Sequence, residues 1–170
     1  MDNNNKFFYF DHQYWPLVIL TIHEQPKSEM EMKIFLESWG HLYTKCMLNG
    51  QRYKLIFDVR KSPLPQIRYL KLLGEWLVNV KSLTEKWMDR TAIIVKENGM
   101  KFMIDFVFKV YKAVRPFKVF GEFQIKDAQA WLENTDDIGD LKNYTERSNQ
   151  WKDLSLDEFE KKIKTEYLVQ

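Results

Sequence analysis

The chain has 170 residues, of which 45% are hydrophobic and 29% charged, an ordinary globular composition long enough for one domain with a sizeable core. Its 26 basic and 24 acidic residues leave a net charge of +2. No chain-wide basic field therefore points to nucleic acid, and no acidic excess points to a mimic of it. Cys46 is the sole cysteine, so no intramolecular disulfide forms and a reducing compartment is expected. The start of the chain lacks a basic segment followed by an apolar run, and no stretch approaches the roughly 20 apolar residues of a membrane span. The expectation is a cytoplasmic protein without a transmembrane segment.

In chain order, residues 1–6 are polar. Phe7 to Phe10 is a short aromatic run suited to a first strand, Asp11 to Tyr14 should turn the chain, and Leu17 to Ile22 is rich in β-branched residues, a strong strand signal. The two strands suit an antiparallel hairpin at a sheet edge. Ser28 and Glu31 have capping-box spacing. Behind them Met32, Leu36, Trp39, Tyr43 and Cys46 or Met47 recur at helical intervals, until Asn49-Gly50 ends the helix. Tyr53 to Val59 reads as a buried strand. Arg60 to Pro65 follows as a loop stiffened by two prolines.

Ile67, Leu70, Leu73 or Gly74, Leu77 and Val80 mark a second helix, which either extends toward Trp87 or breaks near Ser82. Thr91 to Val95 is a third core strand and Asn98-Gly99 a turn. Phe102, Met103, Phe106, Val107, Val110 and Val114 form a third helical stripe, stopped by Arg115-Pro116. Phe117 to Phe120 alternates as an edge strand would. Ile125 to Glu133 makes a short helix with Ala128, Trp131 and Leu132 inward. Strands alternating with helices imply crossovers and a largely parallel sheet. Crossover helices confined to one face would leave the other open to a partner.

Residues 134–154 read as a polar linker. A second capping-box pair, Ser155 and Glu158, opens a stripe of Leu156, Phe159, Ile163 and Tyr167, so residues 155–168 are expected to form an amphipathic C-terminal helix. It either docks on its own domain or contacts another chain. Self-association as a homodimer is one form of that contact. Its acidic residues Asp157, Glu158, Glu160 and Glu166 argue against a membrane surface.

Over residues 7–133 this order of elements resembles the STAS domain, in particular its divergent SpoIIAA-like branch of anti-sigma-factor-antagonist-like proteins. The resemblance rests on three segments. Leu55 to Arg60 is similar to the family's central strand with its acidic end, Ser62 to Pro65 occupies the loop that follows, and Ala128 to Leu132 looks like the ending of the last helix. It implies a mostly parallel α/β sheet with amphipathic crossover helices. It also implies a noncatalytic regulatory role, in which a serine or threonine after the central strand is phosphorylated to change partner binding. Ser62 is the positional match. The family's Asp-Ser-Ser-Gly-Leu-Gly-like stretch is replaced by Lys61-Ser62-Pro63-Leu64-Pro65.

Read from their own chemistry, Asp58, Arg60, Lys61 and Ser62 sit where a strand meets a helix. Asp58 either caps the loop and pairs with Arg60, or the segment is regulatory, with Arg60 and Lys61 pairing a phosphate on Ser62. No histidine neighbours Ser62 in sequence to activate it as a nucleophile. His23 with Asp58 is the pair a small hydrolase would use. His12, His23 and His41 are scattered and build no zinc pattern. No phosphate-cradling glycine loop is present. The series Lys101, Lys109, Lys112, Arg115 and Lys118 is read as the solvated face of the third helix or, as a minor option, a contact for an acidic partner or nucleic acid. No catalytic, cofactor or metal residue is assigned. The leading expectation is a protein-interaction or regulatory module, with a structural or oligomerisation protein and a small hydrolase with a cleft near Asp58 as alternatives.

Overall fold

The computed structural model describes residues 7–96, 100, 101, 104, 107 and 111–133. Its elements are β1 (Phe8–Tyr14), β2 (Leu17–Ile22), α1 (Glu29–Asn49), β3 (Tyr53–Asp58), α2 (Ile67–Asn79), α3 (Lys81–Trp87), β4 (Met88–Val95), β5 (Phe117–Gly121) and α4 (Ile125–Glu133). Met100, Lys101, Ile104 and Val107, between β4 and β5, are helical. The expected C-terminal linker and helix, with Leu156, Phe159, Ile163 and Tyr167, lie outside the described residues, as does most of the stripe from Phe102 to Val110.

The α/β reading holds. One sheet has the order β1-β2-β3-β4-β5, with β1 antiparallel to β2 and every later pairing parallel. Each crossover moves the chain one strand in the same direction. Crossovers of one hand then place their helices on one face of the sheet. That face carries the larger core, in which Val18, Leu20, Tyr53, Leu55 and Ile93 meet Phe35, Trp39, Leu42 and Tyr43 of α1. The other face is not left wholly open. α4 turns back beneath it, and Ala128 and Leu132 pack with Ile56, Ala92, Ile94 and Phe120. Alternate residues of β3 and β4 thus serve two cores, as the two-residue period of a strand requires.

The caps of α1 follow the sequence closely. Ser28 is extended (φ −155°, ψ 164°) and its Oγ accepts from the Glu31 amide at 3.2 Å. The returning Glu31 carboxylate accepts from the Lys27 amide at 2.7 Å, one residue earlier than a capping box places it. Gly50 adopts left-handed φ 62° and donates to the Cys46 carbonyl.

Two local expectations are corrected, and one that stood open is decided. The turn expected at Asp11 to Tyr14 is strand: Asp11 and Tyr14 pair with Ile19 and Leu17 of β2, and the bond from the Gln13 amide to Asp11 Oδ1 at 2.8 Å falls in the register irregularity between them. The hairpin turns at Tyr14 to Pro16, where the Trp15 amide donates to the His12 carbonyl at 3.2 Å. The second helix breaks at Val80, whose φ and ψ are −98° and 12°. Thr84 anchors the far side of the break. Its Oγ1 lies 2.7 Å from the buried Tyr43 hydroxyl and 3.1 Å from the Val80 carbonyl. Finally, Ile67 was expected on the inner face of α2 but is 78% exposed, while Tyr69 is buried.

Candidate functional site

Asp58 ends β3, beside Thr21 of β2 and Ile94 of β4. The chain then leaves the sheet, with the Val59 amide still donating to the Ile94 carbonyl at 3.0 Å. Arg60 folds back onto Asp58. Its Nη2 donates to Oδ2 at 2.8 Å, its Nε to Oδ1 at 2.9 Å, and its own amide to Oδ1 at 3.1 Å. This is a two-pronged guanidinium–carboxylate pair, the strong form of such contacts. Burial pushes the Asp58 carboxyl up, but the Arg60 hydrogen bonds and charge outweigh it, with help from Lys61, and hold it below the usual value. Arg60 is raised in turn, first by its hydrogen bond to Asp58 and also by the nearby charge of Glu122. Glu122 lies in the turn between β5 and α4, so that turn borders the loop after β3.

Ser62 donates its hydroxyl to the Pro63 carbonyl at 2.9 Å, and its amide donates to the Val59 carbonyl at 3.1 Å. The loop is also tied to the one after β2, because Gln25 Nε2 donates to the Leu64 carbonyl. Ser62 lies four residues before Gln66, the N-cap of α2. A phosphate on it would therefore stand upstream of the helix terminus rather than on it. A small recess is lined by Arg60, Ser62, Leu64, Lys96 and Met100, so Lys96 joins the cations around Ser62. Lys61 is exposed.

The rim around this loop carries exposed apolar side chains: Leu64 is 49% exposed, Ile67 78% and Phe123 93%. Phe123 was missed from sequence because a single aromatic in a turn has no periodicity to announce it. The only signal was its polar company, Glu122 and Gln124.

Strands added in one direction produce no reversal of order, and hence no crevice of the kind open α/β sheets use for ligands. The space lies instead between the sheet and α2. One cavity of about 100 Å³ has Met32, Trp39, Phe57, Tyr69, Leu73 and Ile104 in its wall. A second, of about 240 Å³, shares Trp39, Phe57 and Leu77 with it and reaches Lys81, Lys112 and Arg115. Neither is lined by His23 or Asp58, and His23 is exposed. Among the described residues no group of three or more His, Cys, Asp or Glu side chains could hold a metal, and no helix is long and apolar enough to cross a membrane.

Of the basic series, Lys101, Lys112 and Lys118 are exposed. Arg115 is not part of a solvated face. Its Nε donates to the Asp89 carbonyl at 3.1 Å and its Nη2 lies 3.6 Å from the Asp89 carboxylate. Cys46 is buried, and burial pushes its thiol well above the ordinary value.

No family model, no curated protein and no solved structure matches the chain.

Proposed function

We propose that this chain is a noncatalytic interaction or regulatory module of STAS-like type, with its recognition surface at the carboxyl ends of the parallel strands. The observation that carries this reading is the rim itself. Leu64, Ile67 and Phe123 stand exposed on a loop, the start of α2 and a turn, with the loop held by the Arg60–Asp58 fork and the nearby Glu122 charge. Apolar side chains on a stiff frame, flanked by charge, are the composition of a protein-binding surface. One antiparallel strand leading a run of parallel ones supports the STAS-like part. Phosphate on Ser62 would change this rim, adding negative charge beside Arg60 and Lys96 and competing with Asp58 for the guanidinium.

The test is site-specific photo-crosslinking from Leu64 and from Phe123 in the full chain, in the cells that make it. The expected result is one discrete adduct common to both positions, lost on Arg60→Ala or Ser62→Glu while the circular dichroism is unchanged. A second copy of the chain as the adduct would make the rim a self-association surface. Absence of adducts from both positions would overturn the proposal.

A further inference from the structure

The cleft between α2 and the sheet has a composition of its own, although Ser62 and Pro65 of the loop after β3 border its smaller cavity. α2 covers the sheet shallowly. Of its residues only Tyr69 and Gly74 are buried. Phe57 is the clearest symptom. It sits on β3, the middle strand of five, between fully buried neighbours Leu55 and Ile93, and yet is only half-buried: one side of its ring meets Trp39 of α1, with ring centres 5.8 Å apart, and the rest borders the cleft. Both cavities open on this ring, and together they reach the lower end of the roughly 300–1,000 Å³ range of small-molecule sites.

The walls give water little reason to stay. Both threonine hydroxyls in the larger cavity are already spent, Thr84 on the Val80 carbonyl and Tyr43, Thr91 on Met88 Sδ at 3.1 Å. Empty apolar volume is destabilising, and such cavities take up apolar ligands. The charge is one-sided. Lys81 and Lys112 are exposed around the larger cavity, its described lining includes no carboxylate, and the third cation there, Arg115, is already held by Asp89. The smaller cavity has Glu24 in its lining instead. An occupant with a negative head is therefore oriented, with the head at the lysines and the body running past Leu77 onto Trp39 and Phe57.

We propose that this cleft binds a single-chain aliphatic carboxylate, with its carboxylate at Lys81 and Lys112 and its chain against Phe57 and Trp39. The test uses the full chain, stripped of bound lipid, titrated with decanoate and with decan-1-ol below their aggregation limits. Binding is followed by tryptophan fluorescence and native mass spectrometry. Decanoate should bind with one molecule per chain, and decanol about tenfold more weakly. The double variant Lys81→Glu/Lys112→Glu changes two exposed side chains, so the fold should survive it. It should weaken decanoate about tenfold or more and leave decanol unchanged. Leu77→Phe, at a residue that lines both cavities, should weaken both. The proposal is overturned if decanoate shows no saturable one-to-one binding. Equal binding of acid and alcohol with no effect of the lysine variants would also overturn it, as would full occupancy of the cleft by another part of this chain.

Discussion

Removing the Arg60 guanidinium would leave Asp58 partly buried with its best partner gone, and the pH dependence of stability should report it. The Asp58 carboxyl lies below its ordinary value in the folded chain and near about 3.9 in the unfolded one. As pH falls, the unfolded chain takes up this proton first. The stabilisation is therefore complete well above the ordinary value and is lost as pH drops through it toward the lowered folded one. Arg60→Ala should cost about 1 kcal/mol at neutral pH, since the pair is partly solvent-screened. It should also flatten the acid limb of stability measured by urea unfolding across that range. Cys46 gives a second residue-scale expectation. With its thiol buried and pushed up, it should resist a thiol-specific reagent in the native chain and react once per chain in denaturant. Asp58, Arg60 and Ser62 were legible in sequence as a cluster at a strand end. Which of two roles Arg60 plays was not, because the choice depends on how the backbone curls after Val59.

Helix ends were the most legible elements, since caps act over three or four residues. Ser28, Glu31 and Gly50 define α1 from local chemistry alone. Asp11 shows the limit of such signals: the same side chain-to-backbone bond that opens a turn can be absorbed by a strand. α2 shows another. Its stripe gave the correct general face, but periodicity does not say how closely a helix lies on its neighbour, and so neither the exposure of Ile67 nor the cleft was visible. Gly74 is where α2 meets the segment that precedes β5. A Cβ there would run into the ring of Tyr111. In an open helix interior, alanine for glycine stabilises by about 1 kcal/mol. Here Gly74→Ala should instead destabilise by about 1–3 kcal/mol, the range for an overpacked contact, unless the Tyr111 ring swings away. Thermal unfolding decides the sign, and a fluorescence change at neighbouring Trp76 would report the ring's displacement.

Across the whole molecule, two layers of helix share one sheet, and Arg90 of β4 fastens the thinner layer. Its Nη1 donates to the Trp131 carbonyl at 3.0 Å and its guanidinium lies 5.0 Å from the centre of the Trp131 ring. Arg90→Ala should loosen α4 and expose Ile94 and Phe120 of the smaller core, at a cost of about 1–3 kcal/mol. Its readouts are a red-shifted Trp131 emission, isolated in a background lacking the other tryptophans, and faster amide exchange in α4. The single direction of strand addition has a further consequence, in the time domain. Each strand pairs with the one preceding it in sequence, so no gap has to be held open for a later segment. The sheet can lengthen by one strand at a time as the polypeptide leaves the ribosome. Each step closes only the loop just made, which keeps the separation of contacts short and limits how long an unpaired apolar edge waits for its neighbour.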